Sequence, residues 1–365
     1  MRIVKVPSLI GGHATPDLSA ATWCVVLLVL CIVATAHDSV LPAKFLLDEL
    51  VISDRMKTVT KVEAYGDSFD NLAWIFKYFS LTNPGITLIG FAASVLSLTI
   101  AVWRARVESL TVIEMVLVAF WLVNQTVYVG LPSKEIVIAL LMLVVFSLHG
   151  SRAVMPIFAI GAMLVAVYFR SYWAITLCAT FVLYFAPPFM RRPVALLFMG
   201  LLLFAVVSVV FANVYGQSIE FARQAVNQYR DENDASSIIQ PFFNGDGMII
   251  GIVNVVLTWT TFFVPLRLIT SGSPLQTAGG IGVFLTFVML FNRYRLVIAL
   301  FPAMQFDRLC FCFLFSFIAT QALFEPDYGS YLKHLSPISP IILYLILRLR
   351  GLKISNEMSR RVVNP

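Results

Sequence analysis

The sequence predicts an all-α, polytopic integral membrane protein with about 10–11 transmembrane helices. Of its 365 residues, 59% are hydrophobic and only 13% are charged, and the mean hydropathy is +0.86. The apolar runs are long and unbroken, whereas a transmembrane barrel would show alternating segments of about ten residues. We therefore treat residues 1–365 as a single membrane-embedded domain with two longer loops on one side.

The first half of the chain alternates between apolar runs and polar connections. Residues 1–22 lack an apolar run of spanning length and are predicted to form a cytoplasmic tail. Residues 41–83 form the first long polar segment, which we place outside. The predicted spans are Trp23–Val40, Pro84–Trp103, Leu110–Val129, Ile136–Leu148, Ala153–Phe169, Trp173–Phe189 and Val194–Tyr215.

The second half begins with another long polar segment, residues 216–247, which alternation also places outside. The predicted spans that follow are Met248–Leu266, Ala278–Phe291, Leu309–Phe324 and Ile338–Leu347. Leu296–Met304 is too short to cross a bilayer upright and is interpreted as re-entrant or as a half-helix. Basic residues after the last span place the C-terminal tail inside.

Charge and cysteine usage exclude several functional classes. The net charge of +6 comes from basic residues between apolar runs, where membrane topology places them, so we expect no nucleic-acid partner. The five cysteines lie within apolar runs and predict no disulfide framework. The sequence contains no HExxH, CxxC or glycine-rich phosphate motif, so no metal or other cofactor is predicted.

Charged residues at the ends of the fourth and fifth spans are the strongest indication of a site. Lys134 and Glu135 open one span, and Arg170 and Tyr172 follow the next, so all four should lie at one depth outside the membrane. Charged groups at membrane depth are costly unless they are paired or hydrated. The alternative is structural: Glu135 would favour a helix N-terminus, and Arg170 would belong to an interfacial belt.

Further polar residues and aromatics are predicted around these four. The candidate bases for an acceptor hydroxyl are His334, Glu135, Asp327 and Glu325. The candidate substrate-binding residues are Lys134, Arg170, Tyr172, Asp67, Arg223, Arg230, Arg293 and Arg295. Cations among aromatics on the outer face indicate an anionic partner, and a lipid-linked diphosphate fits that chemistry. The alternatives are that Asp67 caps a helix and that residues 325–329 form an ordinary turn.

Four short segments carry a resemblance to a known family. They are Tyr65-Gly66-Asp67, Pro132-Ser133-Lys134-Glu135, Phe169-Arg170-Ser171-Tyr172 and Glu325-Pro326-Asp327-Tyr328-Gly329. With the overall organisation, they resemble the Wzy-type polymerases of bacterial surface polysaccharide, which are similar in architecture to the O-antigen ligases. The resemblance implies a GT-C-like fold in which Lys134 and Arg170 hold the donor diphosphate.

The predicted function is metal-independent glycosyl transfer that polymerises undecaprenyl-diphosphate-linked oligosaccharide repeat units. The resemblance places this reaction at the periplasmic face of the bacterial inner membrane, with O-antigen or exopolysaccharide as product and a chain-length regulator and a flippase as possible partners. The alternatives are a lipid-linked glycan flippase or exporter, another membrane transporter, or a non-enzymatic subunit of a synthesis complex. The four spans from the fifth to the eighth have no titratable residues within them apart from cysteine and tyrosine, which favours chemistry at one face over transport.

Overall fold

The computed structural model describes residues 27–28, 30–42, 45–107, 109–187, 192–228, 237–245, 247–297 and 305–350. Within these residues the chain is helical, and the one strand-like pairing is the bridge between Ile238 and Asp327. The principal helices are α1 Leu47–Thr58, α2 Ser68–Tyr78, α3 Asn83–Arg104, α4 Val112–Tyr128, α5 Glu135–Ser147, α6 Val154–Tyr168, α7 Trp173–Phe185, α8 Pro193–Tyr215, α9 Phe221–Gln228, α10 Met248–Phe263, α11 Pro274–Val297, α12 Gln305–Phe324, α13 Tyr328–Leu335 and α14, residues 339–350.

The apolar helices have the lengths expected of a multi-pass membrane protein. In the described residues, five are long and apolar enough to cross a membrane: α3, α8, α11, α12 and the continuous segment that joins α13 to α14. Five shorter apolar helices, α4, α5, α6, α7 and α10, accompany them. The all-helical fold predicted from composition is thus confirmed, and the long apolar helices are compatible with a multi-pass membrane protein.

Helix α12 forms the centre of the bundle. In its most apolar stretch 89% of the residues are buried, against 28% for α8, which lies at the periphery. Helix α7 packs along α12, and the buried indole of Trp173 contacts the rings of Phe313 and Phe317. A helix that is apolar on all sides and enclosed by others is typical of a bundle core.

Small residues allow helices α3 and α11 to approach their neighbours closely. A Cβ atom at Gly90 in α3 would lie 2.1 Å from the carbonyl oxygen of Val129, just after α4. A Cβ atom at Gly282 in α11 would lie 2.3 Å from the ring of Phe120 in α4. The contact of Gly90 fixes the start of the turn between α4 and α5, and the contact of Gly282 fixes α11 against the middle of α4.

The path of the chain after α10 differs from the predicted one. We expected the eighth span to end inside at Arg267. In the structure, the Arg267 side chain reaches the carbonyl of Ile238, and α11 begins near Leu332, at the same end of the bundle as α13. Helix α10 is only 16 residues long and ends with Phe263 packed on Phe287 and Phe291 of α11, so it is the chain after it that returns to the α13 end by Arg267, and α11 runs away from that end.

Three sequence-based expectations fall outside the described residues. They concern the tail at residues 1–22, Arg230 in the second polar segment, and most of the short run at 296–304.

Replacement of Gly90 by alanine should destabilise the bundle, because its Cβ would meet a backbone oxygen that cannot rotate away. Overpacking of this kind costs about 1–3 kcal/mol. We expect Gly90→Ala to lower the melting temperature of the detergent-purified protein, measured by tryptophan fluorescence. Gly85→Ala in the same helix is the control, since its Cβ would meet only the Thr82 hydroxyl oxygen at 3.5 Å. Equal melting temperatures for the two variants would contradict the proposed close contact.

Candidate active site

Several helix ends meet at one end of the bundle and bring a set of charged side chains together. The charged cluster, as we call it, consists of Lys134, Glu135, Arg170, Tyr172, Glu325 and His334. Three short connections supply four of them: the one between α4 and α5, the one between α6 and α7, and the one between α12 and α13. Glu135 is the first residue of α5, and His334 lies in the last turn of α13. The first connection is held by a hydrogen bond from the Ser133 hydroxyl to the Tyr128 carbonyl at 2.7 Å.

The centre of the charged cluster is a buried ion pair. The Arg170 guanidinium donates to the Glu135 carboxylate at 2.5 Å, and their side chains are 6% and 0% exposed. A second guanidinium nitrogen donates to the Tyr172 hydroxyl at 2.7 Å. Burial acts to lower the pKa of Arg170, but Glu135, Tyr172 and Glu325 outweigh it and raise the pKa. Arg170 therefore remains a cation at any physiological pH.

His334 lies against this pair and is oriented by a second carboxylate. Its Nδ1 atom forms a short hydrogen bond with Glu325, while its Nε2 atom lies 3.8 Å from the Glu135 carboxylate. Because Glu325 is an acceptor when ionised, Nδ1 carries the hydrogen and donates it, which leaves the lone pair on Nε2. A histidine held by a carboxylate in this way has the arrangement of a general base.

Lys134 has no carboxylate ion pair in the described part of the chain. Its ammonium group donates to the Ser68 hydroxyl at 3.2 Å and lies 3.8 Å above the ring of Phe69. Burial and the nearby Arg170 lower the pKa of Lys134 to about 8, against smaller opposing effects of Asp48 and Glu135. A half-buried cation with only neutral direct partners is suited to receive an anion.

Aromatic rings border the charged cluster on one side. The ring of Tyr172 stacks on Phe324, with centroids 5.7 Å apart, and lies 6.4 Å from the imidazole of His334. The ring of Phe324 in turn lies 6.3 Å from Phe211 of α8. Aromatic faces of this kind contact the apolar face of a sugar ring or an isoprenoid chain equally well.

Helix α1 covers the charged cluster. Asp48 in α1 accepts a hydrogen bond from Lys333 of α13 at 2.6 Å. Beneath this ion pair is a cavity of about 50 Å³ that Phe45, Tyr128, Leu131 and Ser133 help to line. Such a volume holds a water or two but no sugar.

Two predicted site residues serve as helix caps. Asp327 begins α13 and accepts hydrogen bonds from the backbone N–H of Ser330 at 2.8 Å and from its hydroxyl at 2.7 Å. Asp67 begins α2 and accepts from the Phe69 N–H at 2.7 Å. Both carboxylates are held next to the charged cluster rather than in it, and their structural role is the alternative considered from the sequence.

The predicted arginines are not all brought together. Arg223 is buried in a separate group, where it donates to Glu220 at 2.5 Å and to Thr258 at 2.8 Å. Arg293 lies near the far end of α11 and pairs at 2.8 Å with Glu114, which begins α4. Since α4 ends at Tyr128 beside the charged cluster, Arg293 is at the opposite end of the bundle. Arg295 lies in α11, but its side chain is outside the described set.

The sequence reasoning missed residues that support the charged cluster. Gln321 lies 3.4 Å from the Nδ1 atom of His334 and occupies the position one helical turn before Glu325. That spacing, with a buried amide in an apolar helix, is a signal that could have identified it. Ser68 and Asp48 carry no such signal, because each belongs to a polar segment that reaches the cluster only through tertiary packing.

Comparison with protein-family models, with curated proteins and with solved structures found no match for this chain. The resemblance to Wzy-type polymerases therefore stays a prediction.

Replacement of Glu135 by glutamine should destabilise the protein strongly, because Arg170 would remain buried without a counter-charge. Loss of one partner of a buried pair typically costs about 3–5 kcal/mol. We expect this loss in the free energy of unfolding measured in mixed micelles. A double variant, Glu135→Leu with Arg170→Met, should recover much of it. Asp54→Asn is the control, since its pair with Lys57 is solvent-exposed; an equal effect of this control and of Glu135→Gln would contradict the assignment.

Proposed function

We propose that this chain is a metal-independent glycosyltransferase that joins undecaprenyl-diphosphate-linked oligosaccharide repeat units at the periplasmic face of a bacterial inner membrane. The observation that carries the proposal is the largely buried pair of His334 and Glu325. The positive charges of Arg170 and Lys134 are close enough to act on this imidazole. A base and fixed cations are the two elements that transfer from a diphosphate donor needs.

His334 would serve the acceptor sugar. The acceptor hydroxyl oxygen forms a bond to the anomeric carbon of the donor, and its proton passes to Nε2 of His334. Glu325 accepts a hydrogen bond from Nδ1 and stabilises the imidazolium that results. The side chain of Gln321 helps to hold the ring in this orientation.

Lys134 and Arg170 would serve the leaving group. As the bond between the anomeric carbon and the diphosphate oxygen breaks, negative charge grows on undecaprenyl diphosphate. Cations that are already in place stabilise that charge without having to reorganise. They would take the part that a metal ion has in other transferases. Arg170 is already neutralised by Glu135, so Lys134 is the cation with charge to spare.

The substrate would enter when α1 lifts. The ion pair between Asp48 and Lys333 joins α1 to α13, and both side chains are partly exposed, at 17% and 24%. A partly exposed pair costs less to open than the fully buried pair of Glu135 and Arg170. The lipid chain would remain among the apolar helices while the diphosphate reaches Lys134.

Chain extension by the purified protein is the direct test. With a lipid-linked repeat unit in proteoliposomes, we expect polymer from the wild type. His334→Gln should lower the turnover rate by about 10²–10⁴-fold, the usual contribution of a general base. His149→Gln is the control, because His149 lies with Tyr344 at the opposite end of the bundle. Undiminished polymer from His334→Gln would rule out this histidine as the base.

The same vesicles distinguish synthesis from transport. A flippase would move a fluorescent lipid-linked glycan between leaflets without lengthening it. Polymerisation without movement supports the transferase, whereas movement without polymerisation by the purified protein would replace the proposal with the transport alternative.

The affinity for a diphosphate should depend on the protonation of Lys134. Because the pKa of Lys134 lies at about 8, the ammonium form dominates below that pH and is lost above it. We expect the dissociation constant of a short-chain polyprenyl diphosphate to rise by up to about tenfold between pH 8 and pH 9, that is, the affinity to fall. Lys134→Arg should flatten this dependence, since arginine stays protonated. If the variant had the same pH profile as the wild type, the ionisation of Lys134 would not control diphosphate binding.

A further inference from the structure

A second cluster of ligand-type side chains lies where the first apolar helix meets α1. His37 and Asp38 follow the helical residues 30–35, and Glu49 belongs to the first turn of α1. The Nε2 atom of His37 lies 2.9 Å from the Glu49 carboxylate and 3.5 Å from that of Asp38. One ligand atom from each of the three residues lies within 4.8 Å of the others.

The tautomer of His37 makes this contact unusual. Its Nδ1 atom is 2.8 Å from the Ala34 carbonyl oxygen, which can only accept, so Nδ1 carries the hydrogen. With the hydrogen on Nδ1 alone, the ring presents the Nε2 lone pair to Oε2 of Glu49. Neither of these buried atoms is assigned a hydrogen-bond partner, although they are only 2.9 Å apart. Two lone pairs this close repel each other unless a proton or a metal ion lies between them.

We propose that His37, Asp38 and Glu49 bind a divalent transition-metal ion, with Zn²⁺ and Mn²⁺ as the candidates. Nitrogen and oxygen ligands at about 2.0–2.2 Å from a metal are about 2.8–3.6 Å from each other at the angles of adjacent ligands in octahedral or tetrahedral geometry. The observed separations of 2.9 Å and 3.5 Å match that range. One imidazole and two carboxylates suit these ions, and water would complete the coordination.

The surroundings of the cluster support the proposal. Metal-binding histidines generally donate their other N–H to a carbonyl or carboxylate, as His37 does to Ala34. The second oxygen of Glu49 accepts from the amide of Asn83 at 3.0 Å, and Asn83 also contacts Ser53. The ion would therefore join the end of the first apolar helix to α1 and to the start of α3, and so stabilise the helix that covers the charged cluster.

The test is metal retention by the full-length protein purified without a polyhistidine tag. After incubation with Zn²⁺ or Mn²⁺ and desalting, we expect about one ion per chain by mass spectrometry. Added metal should raise the melting temperature, and a chelator should reverse the rise. Mg²⁺ and Ca²⁺ should have little effect, since they bind imidazole poorly.

Variants of the three residues separate a metal site from a simple ion pair. His37→Gln and Glu49→Gln should each weaken binding by at least about tenfold. Asp38→Asn should do the same without harm to the fold, because the Asp38 side chain is 79% exposed. Glu63→Gln is the matched control, with an exposed pair to Lys61. No retained metal and no chelator effect in the wild type would show an imidazolium–carboxylate pair only and overturn the proposal.

Discussion

The pairing of Glu135 with Arg170 is the interaction on which the charged end of the bundle depends. Both charges are withdrawn from water, and neither is tolerable there without the other. Each residue sits at a helix terminus, so the pair fixes the start of α5 relative to the connection between α6 and α7. His334 of α13 and Glu325, which follows α12, then connect two further helices to the same ion pair.

This arrangement separates rigid from movable parts. The groups that would perform chemistry belong to helices packed on α12, whose residues are almost entirely buried. Helix α1 is joined to them by a partly exposed ion pair, and its Asp48 lines a cavity of about 50 Å³. Preorganised charges beside an element held by such a contact are the combination expected where water must be excluded during a reaction and admitted after it.

The sequence was sufficient for the all-helical class and for the main residues that meet in the charged cluster, because both follow from where charge is tolerated in a membrane protein. Lys134, Glu135, Arg170 and His334 interrupt apolar runs, and such interruptions have few explanations. The path after α10 and the position of Arg293 could not be inferred in this way. An arginine at one end of a bundle has the same sequence pattern as an arginine at the other end. Only the packing shows that Arg293 pairs with Glu114 and does not join the charged cluster.

The pairing of Glu114 has a consequence for biogenesis. This carboxylate, at the start of α4, binds Arg293 of α11 and Arg350 at the end of α14, both translated much later. The capping box with Thr111 is local to α4 and needs neither arginine. The ends of α4, α11 and α14 can therefore be joined through this carboxylate only after α14 has been inserted, which makes that insertion a late step of assembly.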